Sequence, residues 1–131
     1  MGLSQKQTKG LRANIVGIER TNDTIELAQI YTAADVFVNP TYEEVLGMTN
    51  LEALACGTPV VTYWSGGSVE TVSEETGVVI DKGDVGHLIN TVCSIKAKDI
   101  GIRKEPCLMR ARQFSRDEKY EEYIELYKGT V

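Results

Sequence analysis

The sequence predicts an α/β chain built on a parallel sheet of about four strands flanked by helices. Three observations predict it. Four short runs rich in β-branched and apolar residues, at 15–18, 35–38, 60–63 and 77–80, have the length of buried strands. Segments with apolar residues at helical spacing separate them. Gly and Pro punctuate the junctions, as in Asn39-Pro40 and Gly57-Thr58-Pro59. Strands that alternate with helices form parallel βαβ units covered on both faces. At 131 residues the chain suits one domain, without internal repeats or low-complexity stretches.

Taken in order, residues 1–14 are polar and are expected to be a flexible or partly ordered segment, leaving 15–131 for the domain. Ile15, Val16, Gly17 and Ile18 read as the first strand. Asn22 or Asp23 can cap a helix whose apolar positions are Ile25, Ala28, Ile30, Tyr31 and Ala34. Asp35, Val36, Phe37 and Val38 form a strand stopped by Asn39-Pro40. Residues 48–56 form a helix that Gly57 ends in a left-handed cap, with Pro59 just beyond. Val60, Val61, Thr62 and Tyr63 are the next strand, followed by a turn at 65–67 and a short helix over 68–74. Residues 77–80 are the fourth strand, and Asp84 caps a helix to about Lys96. Two closing helices follow within about 103–128, at 103–113 and 116–128, the last packing through Tyr120, Tyr123 and Tyr127.

Composition narrows the function classes. A net charge of −5 makes the chain a poor partner for nucleic acid or an anionic membrane. No run approaches the roughly 18 apolar residues of a membrane span, and the polar residues 5–10 do not read as a secretory signal. Cys56, Cys93 and Cys107 are an odd set without C-x-x-C, which fits a reducing cytoplasm without disulfides or zinc. Cys56 reads as a small core residue. The single histidine, His87, sits early in a helix and reads as a surface residue.

The most informative stretch is 40–61. Seven residues separate Glu44 from Glu52, and Gly47 lies between them at a strand-to-helix turn. Without a Cβ, Gly47 lets the backbone approach a ligand closely. The N–H groups of Gly47, Met48 and Thr49 open the helix unpaired and form a ready anion site, with phosphate the natural guest. Glu52, one turn further in, offers two acceptor oxygens to the vicinal diol of a ribose. Glu44, on the loop side, is placed for the hydroxyls of a second sugar. In an open α/β sheet this crevice, at the carboxyl ends of the strands, is where ligands bind. The blander account is that glutamates near a helix start are favoured by the dipole alone.

Five segments together resemble one family, the retaining GT-B glycosyltransferases of the large family 4 group. Residues 33–40, Ala-Ala-Asp-Val-Phe-Val-Asn-Pro, are similar to its A-A-D-V-F-V-x-P-S strand. Glu44 and Glu52 resemble its E-x7-E motif, and residues 52–61, Glu-Ala-Leu-Ala-Cys-Gly-Thr-Pro-Val-Val, its E-A-M-A-C-G-T-P-V-V segment. Gly66, Gly67 and Glu70 resemble G-G-x-x-E, and residues 77–84 resemble G-x-L-V-x-x-G-D. Ala111 to Ser115, with Tyr123 and Tyr127 after them, look like the closing helices.

The resemblance covers about residues 15–128 and implies a partial Rossmann-like sheet, the second half of the C-terminal, nucleotide-sugar-binding domain. It implies transfer of a sugar from a nucleotide-sugar to an acceptor with retained anomeric configuration. Glu52 would bind the donor ribose. Glu44 would contact the donor sugar or stabilise charge near the anomeric carbon, and the amides of Gly47, Met48 and Thr49 would hold the diphosphate. No cofactor and no metal is implied: amides, a helix dipole and basic residues neutralise the departing diphosphate. The acceptor, a sugar, lipid-linked or polysaccharide molecule, would bind the N-terminal domain, which the match does not include. A cytoplasmic location follows, with membrane-peripheral attachment of the full-length protein as an option.

Departures from the pattern are Val45 where glycine is usual, Leu46 where an aromatic is common, and Thr41 in place of serine. The basic pair that grips the diphosphate in the family has no counterpart; Arg20 and Lys82 match no motif position and read as solvated. Trp64 either borders the donor crevice or packs. In a doubly wound order of 3-2-1-4-5-6, the four runs match positions three to six. The 15–18 strand therefore either pairs directly with 35–38 or leaves that edge open, and self-association along an open edge becomes an alternative. Two readings of function follow: the donor-binding half of a sugar-transfer enzyme, inactive alone, or a non-catalytic nucleotide or sugar-phosphate binding module.

Overall fold

A computed structural model describes residues 2–118, 124–125 and 128–129. Tyr120, Tyr123 and Tyr127 lie outside the described residues. The element order is α1 (Gln5–Lys9), α2 (Thr24–Ala33), β1 (Phe37–Asn39), α3 (Met48–Ala55), β2 (Val60–Tyr63), α4 (Ser68–Thr71), β3 (Gly77–Ile80), α5 (Val85–Lys96) and α6 (Lys104–Arg112). The strands form one parallel sheet in the order β1-β2-β3, with Phe37 opposite Val60 and Val60 opposite Gly77. This is the expected α/β architecture, with three strands where the sequence predicts about four.

The missing strand is the one predicted at 15–18. Ile15 is 50% exposed and Val16 86%, and the segment is irregular. A strand exists only where a neighbour accepts its ladder. In the doubly wound order, the neighbour of that strand is the second position, which falls outside the matched segments. Residues 15–18 do not pair with β1 either; Ile18 accepts instead from the N–H of Leu3 at 3.3 Å. The preceding residues gain a helix that the sequence reading did not identify: α1, closed by a capping box between Ser4 and Gln7.

β1 is therefore one of the two edges of the sheet, with β3 the other. Phe37 donates to Pro59 of the chain running into β2, and parallel alternation turns the N–H and C=O of Val38 the other way. Beside it, α2 buries Tyr31 as the sequence predicts but leaves Ile25 out. Asp23 caps the helix through Glu26 N at 2.7 Å, but Leu27 and Tyr31 face inward while Ile25 is 68% exposed.

Strand β2 is buried at all four positions, and its alternating side chains divide the core. Val60 joins Tyr31, Ala53, Leu54, Val72 and Cys107 on one face; Val61 and Tyr63 join Ile80 and Ile95 on the other. Burying each large member contributes about 1.5–3 kcal/mol. Helix α6 covers the first face through Cys107 and Ala111, so α3 is held between the sheet and α6. Asp84 caps α5 through His87 N at 2.9 Å, and the His87 ring is exposed. Ser115 accepts from Glu118 N at 3.3 Å and opens the helical residues 116–118. Among the described residues, no helix is long and apolar enough to cross a membrane.

Candidate functional site

The site forms where β1 turns into α3. Gly47 is the N-cap of α3 at φ 71 and ψ 50, a left-handed conformation that disfavours any side chain. Its carbonyl accepts from Asn50 N at 2.9 Å and Leu51 N at 3.2 Å. The N–H groups of Gly47, Met48 and Thr49 donate to no group among the described residues. Gly47 is buried, whereas Met48 and Thr49 are exposed. The positive end of the α3 dipole is therefore left with three amides that lack partners among the described residues, two of them on exposed residues.

Glu44 lies on the β2 side of this helix start. The loop that carries it rests on the turn after β2. Gly67 N donates to Glu44 O at 3.1 Å, and a Cβ at Gly66 or Gly67 would run into the carbonyls of Glu44 and Val45. The glycine pair was expected to serve a tight turn. Only Gly66 has a positive φ, at 45°, and Gly67 sits at −73°. Close approach of the Glu44 loop, more than turn geometry, thus accounts for both glycines. The Glu44 carboxylate accepts from Val45 N at 3.2 Å.

Glu52 lies on the α2 side and has a partner that sequence reasoning missed. The hydroxyl of Tyr31, in the last turn of α2, donates to Glu52 Oε2 at 3.1 Å. Tyr31 is 4% exposed, packs edge-to-face on Phe37 at 5.3 Å, and accepts from Thr58 Oγ1 at 2.6 Å through its backbone carbonyl. Burial first, and then the bond to Glu52, push its hydroxyl well above the ordinary tyrosine range, so it remains a donor. A tyrosine on the buried face of a helix needs a partner for its O–H; that signal was in the sequence, but the partner is 21 residues away. The two glutamates are thus anchored separately, Glu44 through its backbone carbonyl to the 66–67 turn and Glu52 through its carboxylate to α2. Neither forms an ion pair among the described residues.

A buried polar network supports the helix start. Asn39 Nδ2 donates to Asn50 Oδ1 at 2.9 Å, Asn50 Nδ2 donates to Thr71 Oγ1 at 3.2 Å, and Thr71 Oγ1 donates to Ser68 O at 2.7 Å. Thr62 Oγ1 donates to Asn39 O at 3.0 Å. β1, α3, β2 and α4 are therefore tied together directly beneath Gly47. The hydroxyls of Ser65 and Ser68, buried beside the same turn, have no partner among the described residues. Tyr42, Val45, Met48 and Trp64 are exposed. Trp64, at 64% exposure, is not a core residue. Arg20 and Lys82 are exposed, as read from the sequence. Among the described residues no three His, Cys, Asp or Glu side chains converge.

Comparison with known proteins bears on the family and the fold. Residues 3–112 match the family model described as glycosyl transferases group 1. The D-inositol 3-phosphate glycosyltransferase of Mycobacterium sp. (strain KMS) is 35% identical over 91 residues, which cover 69% of this chain and 21% of the relative. The enzyme of that name from Salinispora arenicola is 35% identical over 110 residues, covering 81% of this chain and 24% of the relative. Sucrose-phosphate synthase from Thermosynechococcus elongatus superposes with a TM-score of 0.69 at 30% identity, over 88% of this chain and 29% of that one. The chain spans about a fifth of the length of the curated relatives it matches.

Proposed function

The chain belongs to the glycosyl transferases group 1 family, and on that footing we propose that it is the donor-binding half of an enzyme that transfers a sugar from a nucleotide-sugar to an acceptor with retained configuration. The observation that carries this reading is the trio of unpartnered amides at Gly47, Met48 and Thr49, flanked by Glu44 and by a tethered Glu52. In this reading the amides and the α3 dipole hold the donor diphosphate and stabilise its charge as it departs, without a metal. Glu52 accepts from the ribose hydroxyls. Glu44 contacts the donor sugar or stabilises positive charge at its anomeric carbon. The acceptor, a sugar, lipid-linked or polysaccharide molecule, binds a separate domain, and the full-length protein works in the cytoplasm, either free or at the membrane surface.

Catalysis needs both reactants held in one geometry. A chain that matches about a fifth of its relatives supplies one side of that geometry, so it is inactive alone and binds a nucleoside diphosphate no more tightly than about millimolar. Calorimetric titration with uridine, guanosine and adenosine diphosphates tests this, with Glu52→Ala as the control. Weak binding that Glu52→Ala weakens further is the expected result. Micromolar affinity, or turnover by the isolated chain, overturns the claim of an incomplete site. The second reading is a binding module that performs no chemistry; it predicts the same titration and no activity once the chain is joined to an acceptor domain. The open edge at β1 adds a proposal of self-association in the isolated chain. Light scattering should show dimers or larger species, and a monomer at all concentrations overturns it.

A further inference from the structure

We propose that Tyr31 is a positioning residue for donor recognition: its hydroxyl fixes one oxygen of Glu52 so that the other faces the donor diol, and this sets a preference for a ribonucleotide over a 2′-deoxyribonucleotide. The inference rests on the donor reading of Glu52 given above and deepens it. Glu52 is exposed, and an exposed glutamate samples many rotamers, so holding a carboxylate at a diol costs conformational entropy unless something holds it beforehand. Its one side-chain partner among the described residues is Tyr31 Oη, 3.1 Å from Oε2.

That donor is itself held by packing and by a backbone bond. Its ring is buried between α2 and the sheet, edge-on to Phe37 at 79°, and its carbonyl is tied to Thr58 in the chain leading into β2. A carboxylate has about four acceptor positions. Tyr31 occupies one on Oε2, which leaves Oε1 and the remaining lone pair of Oε2 for two neighbouring hydroxyls. A ligand that lacks the 2′-hydroxyl leaves one of these contacts unmade, and a carboxylate held in place cannot swing to compensate.

The test uses the full chain and its Tyr31→Phe, Glu52→Ala and double variants. Each is titrated by NMR with uridine, guanosine and adenosine diphosphates and with their 2′-deoxy counterparts, to tens of millimolar. Phenylalanine keeps the ring, its contact with Phe37 and the backbone bond to Thr58. The expected result is about five- to tenfold weaker ribonucleotide binding in Tyr31→Phe, with deoxyribonucleotide binding nearly unchanged. Adding Tyr31→Phe to Glu52→Ala should cost nothing more, because the two side chains act as one unit. Equal losses for both sugars, or additive losses in the double variant, mean that Tyr31 acts only through packing and overturn the inference. An effect of Glu52→Ala with none from Tyr31→Phe also overturns this inference alone. No effect of Glu52→Ala on any nucleotide, or no binding by the unaltered chain, overturns the donor reading and this inference with it.

Discussion

Replacing Asn50 by alanine should destabilise the chain by about 2–3 kcal/mol, and the structure shows where that figure comes from. Asn50 is fully buried and bridges β1 to α4: it accepts from Asn39 Nδ2 at 2.9 Å and donates to Thr71 Oγ1 at 3.2 Å. Two net hydrogen bonds are worth about 0.5–1.5 kcal/mol each. Asn39 Nδ2 keeps only a long contact to Thr49 Oγ1 at 3.5 Å, and Thr71 still donates to Ser68 O. The desolvation cost thus falls mainly on one half-satisfied amide, and the space left by the side chain adds to it. For a chain of this length the loss corresponds to a midpoint about 6–12 °C lower. Thermal and urea unfolding followed by circular dichroism measure it. Amide exchange adds the local readout: the protected N–H groups of Asn50 and Leu51, which donate to Gly47 O, should exchange faster. A loss under about 0.5 kcal/mol, with those amides unchanged, would show that the network does not support the helix start.

Two further perturbations probe the frame around the site. Gly66→Ala should cost about 1–3 kcal/mol, because φ is 45° and the new Cβ meets the Glu44 carbonyl; amide exchange should show the loss of the Gly67 N to Glu44 O bond, and unaltered protection of Gly67 refutes the close-approach account. Burial pushes the Cys107 thiol up from 9.0 to about 11. The unfolded chain therefore loses that proton first as pH rises, and the stability that Cys107 contributes is whole below pH 9.0 and lost towards about pH 11. Urea unfolding at both ends of this window should show the unaltered chain losing up to roughly 2 kcal/mol more than Cys107→Ala, whereas an equal or smaller loss contradicts a buried, neutral thiol.

What the sequence made legible was local. The strands at 60–63 and 77–80 appear with the expected bounds, and the helix over 48–56 is observed as Met48–Ala55 with Cys56 at its cap. Apolar runs between Gly and Pro signals specify such elements without help from distant residues. The 15–18 run has the same local signature and fails, because a strand also needs a ladder partner, and nothing in four residues encodes whether one is present. The same limit put Ile25 on the buried face of α2 beside Tyr31 and left Leu27 out. Ile25 and Leu27 are both good apolar residues, and which one turns inward depends on what packs against the helix. Leu27 and Tyr31 carry that contact and Ile25 remains in solvent.

The candidate site divides along the same line. Glycines and a helix start are readable from spacing, since Gly47 and the 66–67 pair act through backbone geometry. Side-chain partners 11 to 40 residues apart, such as Asn39 with Asn50, Tyr31 with Glu52 or Arg110 with the Glu70 carbonyl, exist only once the sheet has brought them together. This explains why two glutamates that look equivalent in an E-x7-E spacing differ physically. Glu44 is placed by its own backbone, wedged against a glycine turn beside the fully buried strand β2, and its position survives as long as the core does. Glu52 is placed by one side-chain hydrogen bond from α2, the helix next to the unpaired edge. Elements with fewer buried partners open more readily, so the Glu52 side of the site is the less rigid half, and Tyr31 is the contact through which that half is held.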